Sequence, residues 1–183
     1  MYLKWDKKKI DGRLWIEVGK LTFSVENSFL YFSFLVFYNY MFLGEYKYTI
    51  DDKKRLAIPP KFRQILAKKL VITKGLDSCL FLYPLKEWQK MAEKLSKLPI
   101  SQSDARGFVR TMLAGAMEVE VDKLGRILIP DYLKKYAYLE KKIVIAGLYN
   151  RIEIWDERRW KLYQEKTEKE AGDIAERLKE LGV

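Results

Sequence analysis

Two stretches of this sequence follow one pattern: LGEYKYTIDDKKRLAIP at residues 43–59 and AGAMEVEVDKLGRILIP at residues 114–130. In both, an Asp is followed four residues later by an Arg, and the Arg by three apolar residues and a proline. The match continues in two further pairs of segments, 71–76 with 143–148 and 80–83 with 152–155. Because recurrence at a fixed offset is typical of repeat proteins, the chain is predicted to contain two copies of one structural unit.

Each copy is predicted to fold as strand, tight turn, strand, short helix, strand, turn and strand. Apolar and acidic residues alternate over 117–121, which is the period of a half-buried strand. The glycine of the turn, Gly125, stands where positive φ is usual, so a reversal follows. Pro59 and Pro130 end the next strand, and short helices are predicted directly after them, at 61–68 and 132–138.

A repeat of this size is close to the lower limit for a stable core of its own, so the two copies are predicted to pack together. The predicted fold class is α+β, with two tandem swapped-hairpin β modules that form a pseudo-two-fold barrel. Connecting helices are predicted at 86–96 and 104–113, and a surface helix at 156–181. Trp88 and Trp160 are predicted to anchor the core, and Cys79 to be a small turn or strand residue. The predicted divisions are an extension at 1–40, a first repeat at 41–88, a helical connector at 89–113, a second repeat at 114–160 and a terminal helix at 161–183.

The charge balance and the lack of histidine favour some classes of protein and exclude others. The chain has 183 residues, with 35 Lys and Arg against 25 Asp and Glu, and its net charge of +10 favours a polyanionic partner. It has no histidine and one cysteine, which excludes a His-based triad, a His metal ligand and a disulfide framework. No catalytic constellation is evident in the residues that remain, so we expect a protein that is not an enzyme, with no cofactor and no metal.

The turn of each repeat carries the candidate site. Asp51 and Asp122 are expected to accept backbone N–H groups of the turn and to orient the Arg four residues on. An Arg held in a fixed direction can donate two parallel hydrogen bonds to guanine in the major groove of DNA. The candidate DNA-binding residues are Arg55, Arg126, Lys53, Lys54 and Lys123, and the turn-orienting residues are Asp51, Asp122 and Gly125. An ordinary solvated turn would explain one such loop, but the repetition of Asp and Arg at one spacing favours a functional site.

The doubled order of Asp-x-x-x-Arg, apolar strand, Pro, short helix, strand, Gly, strand and Trp resembles the MraZ family throughout residues 41–183. The start at Met41-Phe42-Leu43-Gly44-Glu45-Tyr46 is also similar to the amino terminus of that family. The resemblance implies AbrB-like swapped-hairpin modules, assembly into a ring, and binding to short G-rich direct repeats upstream of the family's own gene, which heads a division and cell-wall gene cluster. It also implies that Arg55 and Arg126 contact DNA and that the Asp residues orient them.

One position departs from the family pattern. Lys54 occupies the place in the first turn that Gly125 occupies in the second. A lysine there must either adopt positive φ, which costs roughly 1 kcal/mol, or change the turn type. The direction of Arg55 is therefore less strongly determined by the sequence than that of Arg126.

Residues 1–40 have no counterpart in the repeat. Their long apolar run, 29–43, is shorter than the roughly 20 residues that span a bilayer, so no membrane partner is expected. We interpret this extension as translated upstream DNA that is poorly ordered in the protein. Trp5 and Trp15 are both encoded by TGG, and their codons lie about three turns of B-DNA apart. If Asp11 is encoded by GAT and Val18 by GTG, the Asp11-Gly12 and Val18-Gly19 junctions supply further TGG triplets at a spacing of about one turn. The DNA that encodes the extension is thus predicted to contain the protein's own operator.

The leading prediction is a sequence-specific DNA-binding transcriptional regulator that controls its own gene cluster, is located in the cytoplasm at the nucleoid, and binds no evident small-molecule substrate. Its expected partners are double-stranded promoter DNA and further copies of itself in a ring. Two alternatives stay open: an AbrB-type antitoxin, which would normally carry one hairpin module, and an oligomeric scaffold that binds no DNA.

Overall fold

The computed structural model describes the backbone of residues 5–10, 13–18 and 21–24, and describes residues 41–66, 68–179 and 182 in more detail. The chain divides into two compact units, one within residues 1–41 and one over residues 42–183.

The first unit contains three antiparallel strands, β1 (Trp5–Ile10), β2 (Arg13–Val18) and β3 (Leu21–Ser24), in the order β1-β2-β3. The poor order predicted for residues 1–40 stays a prediction. Along β2, apolar residues alternate with charged and aromatic ones, which is typical of a strand. The predicted operator codons include residues outside the described range, and the interpretation as translated DNA stays a prediction.

The second unit contains the two repeats. The first repeat contributes β4 (Phe42–Thr49), β5 (Arg55–Ala57), α1 (Pro60–Arg63), β6 (Lys69–Lys74) and β7 (Leu80–Pro84). The connector contributes α2 (Leu85–Ser96) and α3 (Ser103–Val109), which continues as a π-helical turn over Arg110–Ala114. The second repeat contributes β8 (Met117–Glu120), β9 (Arg126–Leu128), α4 (Asp131–Tyr136), β10 (Lys142–Tyr149) and β11 (Arg151–Asp156). Two helices, α5 (Glu157–Lys169) and α6 (Ala171–Leu178), follow it.

The pairing of these strands confirms the α+β fold of interleaved modules. Antiparallel partners form one sheet in the order β4-β10-β11-β7-β6-β8, and a separate ribbon pairs β5 with β9. The first strand of each repeat therefore pairs with the third strand of the other repeat, as β4 does with β10 and β8 with β6. Exchanging the repeats reproduces the same order, which is the predicted pseudo-two-fold symmetry.

Two clusters of buried side chains hold the unit together. The first lies between the sheet and the ribbon and includes Leu56 and Ile127, both 0% exposed. The second lies on the other face of the sheet, where Trp155 and Tyr83 pack beside Trp160 and Trp88 at ring-centroid distances of 5.3 and 5.9 Å. Both tryptophans predicted to anchor the core thus pack against the second cluster.

Cys79 also belongs to the second cluster. Its Sγ donates a hydrogen bond to the carbonyl of Leu76 at 3.0 Å, and burial raises the pKa of the thiol. Cys79 lies at the end of the turn that precedes β7, as predicted for a small turn or strand residue.

The helices differ from prediction mainly in length. The helices after the two prolines, α1 (Pro60–Arg63) and α4 (Asp131–Tyr136), are shorter than the helices predicted at 61–68 and 132–138. The terminal helix predicted over 156–181 is interrupted at Glu170, whose φ of −95° and ψ of 2° are not helical. Gly172 stands two residues later, and glycine lowers helix stability by about 1 kcal/mol relative to alanine, so a continuous helix is weakened here.

Candidate nucleic-acid interface

The first turn is organised by the carboxylate of Asp51. Its Oδ1 accepts hydrogen bonds from the backbone N–H groups of Lys53 at 2.9 Å and Arg55 at 2.8 Å. Its Oδ2 accepts from Arg55 Nε at 2.7 Å and lies 2.7 Å from Arg55 Nη2. The guanidinium is therefore held in one direction, and its hydrogen bond to Asp51 lowers the pKa of that carboxyl.

The second turn repeats this arrangement atom for atom. Asp122 Oδ1 accepts from the backbone N–H groups of Leu124 and Arg126, both at 2.9 Å. Its Oδ2 accepts from Arg126 Nε at 2.9 Å and lies 2.7 Å from Nη2. The pKa of Asp122 is lowered by its hydrogen bond from Arg126. These are the contacts expected for residues that orient an arginine.

Both turns have the same backbone shape although one has a lysine where the other has a glycine. Lys54 adopts a φ of 61° and Gly125 a φ of 77°. The closing hydrogen bonds also correspond, from Lys54 N to the Asp51 carbonyl at 2.8 Å and from Gly125 N to the Asp122 carbonyl at 2.9 Å. Of the two outcomes open to Lys54, the structure has positive φ with an unchanged turn, so Arg55 is oriented as firmly as Arg126.

The ribbon places the two arginines on one face. Arg55 lies opposite Leu128, and Arg126 lies opposite Ala57. Because side chains alternate along a strand, Arg55 and Arg126 point to the same side, while Leu56 and Ile127 between them point to the core. Their side chains are 31% and 24% exposed, and Arg126 Nη1 lies 3.8 Å from Asp51 Oδ2 of the other turn.

The three candidate lysines are not equivalent. Lys54 Nζ donates to Asp131 Oδ2 at 2.8 Å and lies 2.7 Å from Oδ1, and this contact lowers the pKa of Asp131. Lys53 and Lys123 are exposed, and neither has an ion-pair partner among the residues that the structure describes. The phosphate-binding charge predicted for all three lysines is thus already neutralised at Lys54.

One cation near the turns was missed in the sequence. Arg63, in α1 of the first repeat, lies against Gly125 of the second turn, and its Nε donates to the carbonyl of Ile58 at 2.6 Å. No sequence signal marks this contact, because it joins a helix of one repeat to the turn of the other.

Two other kinds of site are absent from the part of the chain that the structure describes. Among the described residues, no helix has both the length and the apolar character needed to cross a membrane. Within that range there is also no group of three or more Cys, Asp or Glu side chains placed to hold a metal ion.

Interleaved hairpins and a doubled Asp–Arg turn define a tandem AbrB-like protein. The family model for the MraZ protein, a family described as antitoxin-like, matches residues 41–111 and again residues 112–181. The chain belongs to the MraZ family. Each match includes the helices that follow the hairpins, so the family unit is longer than the β repeat recognised in the sequence.

Relatives from several bacteria match over the same extent. Proteins of Halothermothrix orenii and Caldicellulosiruptor saccharolyticus are each 50% identical over 143 residues, which is 78% of this chain and 100% of theirs. A protein of Moorella thermoacetica is 48% identical over the same length and coverage. All three are named "Transcriptional regulator MraZ".

Proposed function

We propose that this chain is a transcriptional regulator that binds double-stranded DNA sequence-specifically, at G-rich direct repeats upstream of its own gene. The observation that carries the proposal is the pair of Asp-braced arginines on one face of the β5–β9 ribbon. The names of the relatives support the regulatory role. Such a protein works in the cytoplasm at the nucleoid, and its own gene cluster, for division and cell-wall synthesis, is the proposed target.

Guanine is the base that this geometry fits best. Guanine presents O6 and N7 as two adjacent acceptors in the major groove, and a guanidinium matches them with two parallel donors. Nε and Nη2 of each arginine are occupied by the aspartate, which leaves the outer edge of the guanidinium for DNA. A two-stranded ribbon is narrow enough to enter the major groove.

Lys53 and Lys123 lie near the arginines in the sequence and are exposed, which supports a role for them in contacting phosphates. Contacts of this kind give affinity without sequence preference, and they weaken as salt rises. The two arginines therefore supply discrimination, and the two lysines supply most of the salt dependence at the tips of the turns.

Self-association into a ring completes the proposal. Among the described strands, β4 and β8 are the edges of the sheet, and Leu43 at the β4 edge is 50% exposed beside its partner Leu148. At the other edge, Met117 is 43% exposed. A contact between two different edges is head to tail, and such a contact closes into a ring when the rotation between copies permits. A ring would present several turn pairs to DNA repeats spaced by about one helical turn.

Fluorescence anisotropy tests the binding proposal. The probe is a duplex with TGG-containing boxes at a spacing of about 10 base pairs, and the comparison is a duplex of equal composition with the boxes scrambled. We expect tight binding to the first and weak, salt-sensitive binding to the second. The double variant Arg55→Ala, Arg126→Ala should lose the preference, because each bidentate contact supplies about 1–3 kcal/mol of discrimination.

Arg106→Ala is the matched control. This arginine also donates to backbone carbonyls, those of Ile100 and Ser101, but it lies in the connector between α2 and the π-helical turn. It should bind the repeat duplex as the wild type does. Equal wild-type binding to repeat and scrambled DNA would reject sequence-specific recognition, and no binding to either would favour the scaffold alternative.

A further inference from the structure

The positive charge at the turns is smaller than the sequence suggests. Each turn arginine forms an ion pair with the Asp that opens its turn, at 2.7 Å in both cases. Lys54 is paired with Asp131. An ion pair has no net charge, so these cations contribute little to the attraction of a phosphate backbone. The attraction of DNA phosphates must therefore come from cations near the turns that have no acidic partner.

Arg63 is such a cation, and it is held in place. A Cβ at Gly125 would lie 2.6 Å from Arg63 Nη1, so the guanidinium occupies the space that a side chain at position 125 would fill. The hydrogen bond from Nε to the carbonyl of Ile58 fixes one edge of the group. Ile58 in turn donates its backbone N–H to the Gly125 carbonyl at 2.9 Å, which ties the start of α1 to the second turn.

The charge of Arg63 is available. The residue is exposed, and no carboxylate forms an ion pair with it among the residues that the structure describes. With Nε used by the carbonyl, the two terminal nitrogens of the guanidinium remain as donors. A group of this kind, immobilised beside an exposed turn, can donate to phosphate oxygens with little loss of side-chain entropy.

We propose that Arg63 is a phosphate-binding residue that the first repeat supplies to the DNA-binding turn of the second repeat. The inference rests on the proposed DNA-binding function and adds a residue to its site. It also makes the two turns unequal. At the first turn the position of Gly125 is taken by Lys54, whose side chain forms an ion pair with Asp131.

The salt dependence of DNA binding tests this role. The logarithm of the association constant falls with the logarithm of salt concentration, with a slope of about −0.9 for each phosphate neutralised. Arg63→Gln should reduce that slope by roughly one phosphate contact for each copy bound, on both repeat and scrambled duplexes, and should keep the ratio of the two affinities. Arg63→Lys keeps the charge, so it should restore most of the slope.

Three outcomes separate the possibilities. Arg106→Gln removes the same charge from the connector and should leave the slope unchanged. If Arg63→Gln binds with the wild-type salt slope, the residue has only a packing role and the inference is wrong. The same conclusion follows if Arg63→Lys and Arg63→Gln weaken binding equally and neither changes the salt slope. If the wild type binds neither duplex, the DNA-binding function itself has failed, which is a different result. Thermal unfolding of each variant identifies any change that comes from lost stability.

Discussion

Replacing Gly125 by alanine tests how the second turn is built. Gly125 has a φ of 77°, and a Cβ at this position would collide with the guanidinium of Arg63. The substitution therefore imposes two penalties. The left-handed backbone conformation costs a non-glycine residue about 1 kcal/mol, and Arg63 must move away from its position over the turn.

The second penalty follows from the contact that moves. Displacing Arg63 breaks its hydrogen bond to the Ile58 carbonyl, and an ordinary hydrogen bond contributes about 0.5–1.5 kcal/mol. The two effects together predict a loss of about 1.5–2.5 kcal/mol in the free energy of unfolding. For a chain of this size that corresponds to a fall of roughly 3–10 °C in Tm.

Urea unfolding at one fixed protein concentration measures the effect, since self-association would otherwise change apparent stability. Gly107→Ala is the matched control, because Gly107 lies in α3 and a Cβ there meets nothing within 4 Å. It should raise stability by about 0.5–1 kcal/mol through helix propensity. If Gly125→Ala is as stable as the wild type, neither the positive φ nor the contact with Arg63 is as described.

Two further substitutions and one measurement on the native protein have defined outcomes. Ile127→Ala should lower the free energy of unfolding by about 2–5 kcal/mol in urea titration, because the side chain is 0% exposed between ribbon and sheet, whereas the exposed neighbour Leu128 should tolerate alanine; equal losses would contradict the assigned core. Asp51 and Asp122 have pKa values below the ordinary 3.8, so their ion pairs stabilise the fold above that pH and are lost as pH falls through the lowered values. The double Asp→Asn variant should therefore lose less stability on acidification than the wild type, measured by circular dichroism. Intact-mass measurement of protein from its native host should give a start at Met41 if residues 1–40 are translated upstream DNA, and a mass that includes them would reject that interpretation.

The repeat made most of the fold predictable. Because the pattern occurs twice, the strands, the two turns and the need for interleaving all followed from one comparison of the chain with itself. Alternation over 117–121 indicated a strand, and the structure has β8 at Met117–Glu120. The bracing of Arg55 and Arg126 was also predictable, since an Asp at the start of a turn can reach the backbone and the side chain four residues on.

Contacts between the repeats were not predictable. Periodicity indicates what each segment becomes, but not which side chain of one repeat fills the space beside the other repeat's turn. Arg63 over Gly125 and Lys54 with Asp131 are both contacts of this kind. Nothing in the sequence therefore indicated that Lys54 pairs with Asp131 or that Arg63 lies beside the second turn.

Substitution of single atoms in DNA tests the central proposal most directly. In the repeat duplex, 7-deazaguanine replaces the guanines of the TGG boxes, which removes the N7 acceptor and leaves Watson–Crick pairing intact. We expect the wild type to lose affinity for this duplex, and the Arg55→Ala, Arg126→Ala variant to bind the modified and unmodified duplexes equally. Undiminished wild-type binding to the modified duplex would contradict recognition of guanine by the paired arginines.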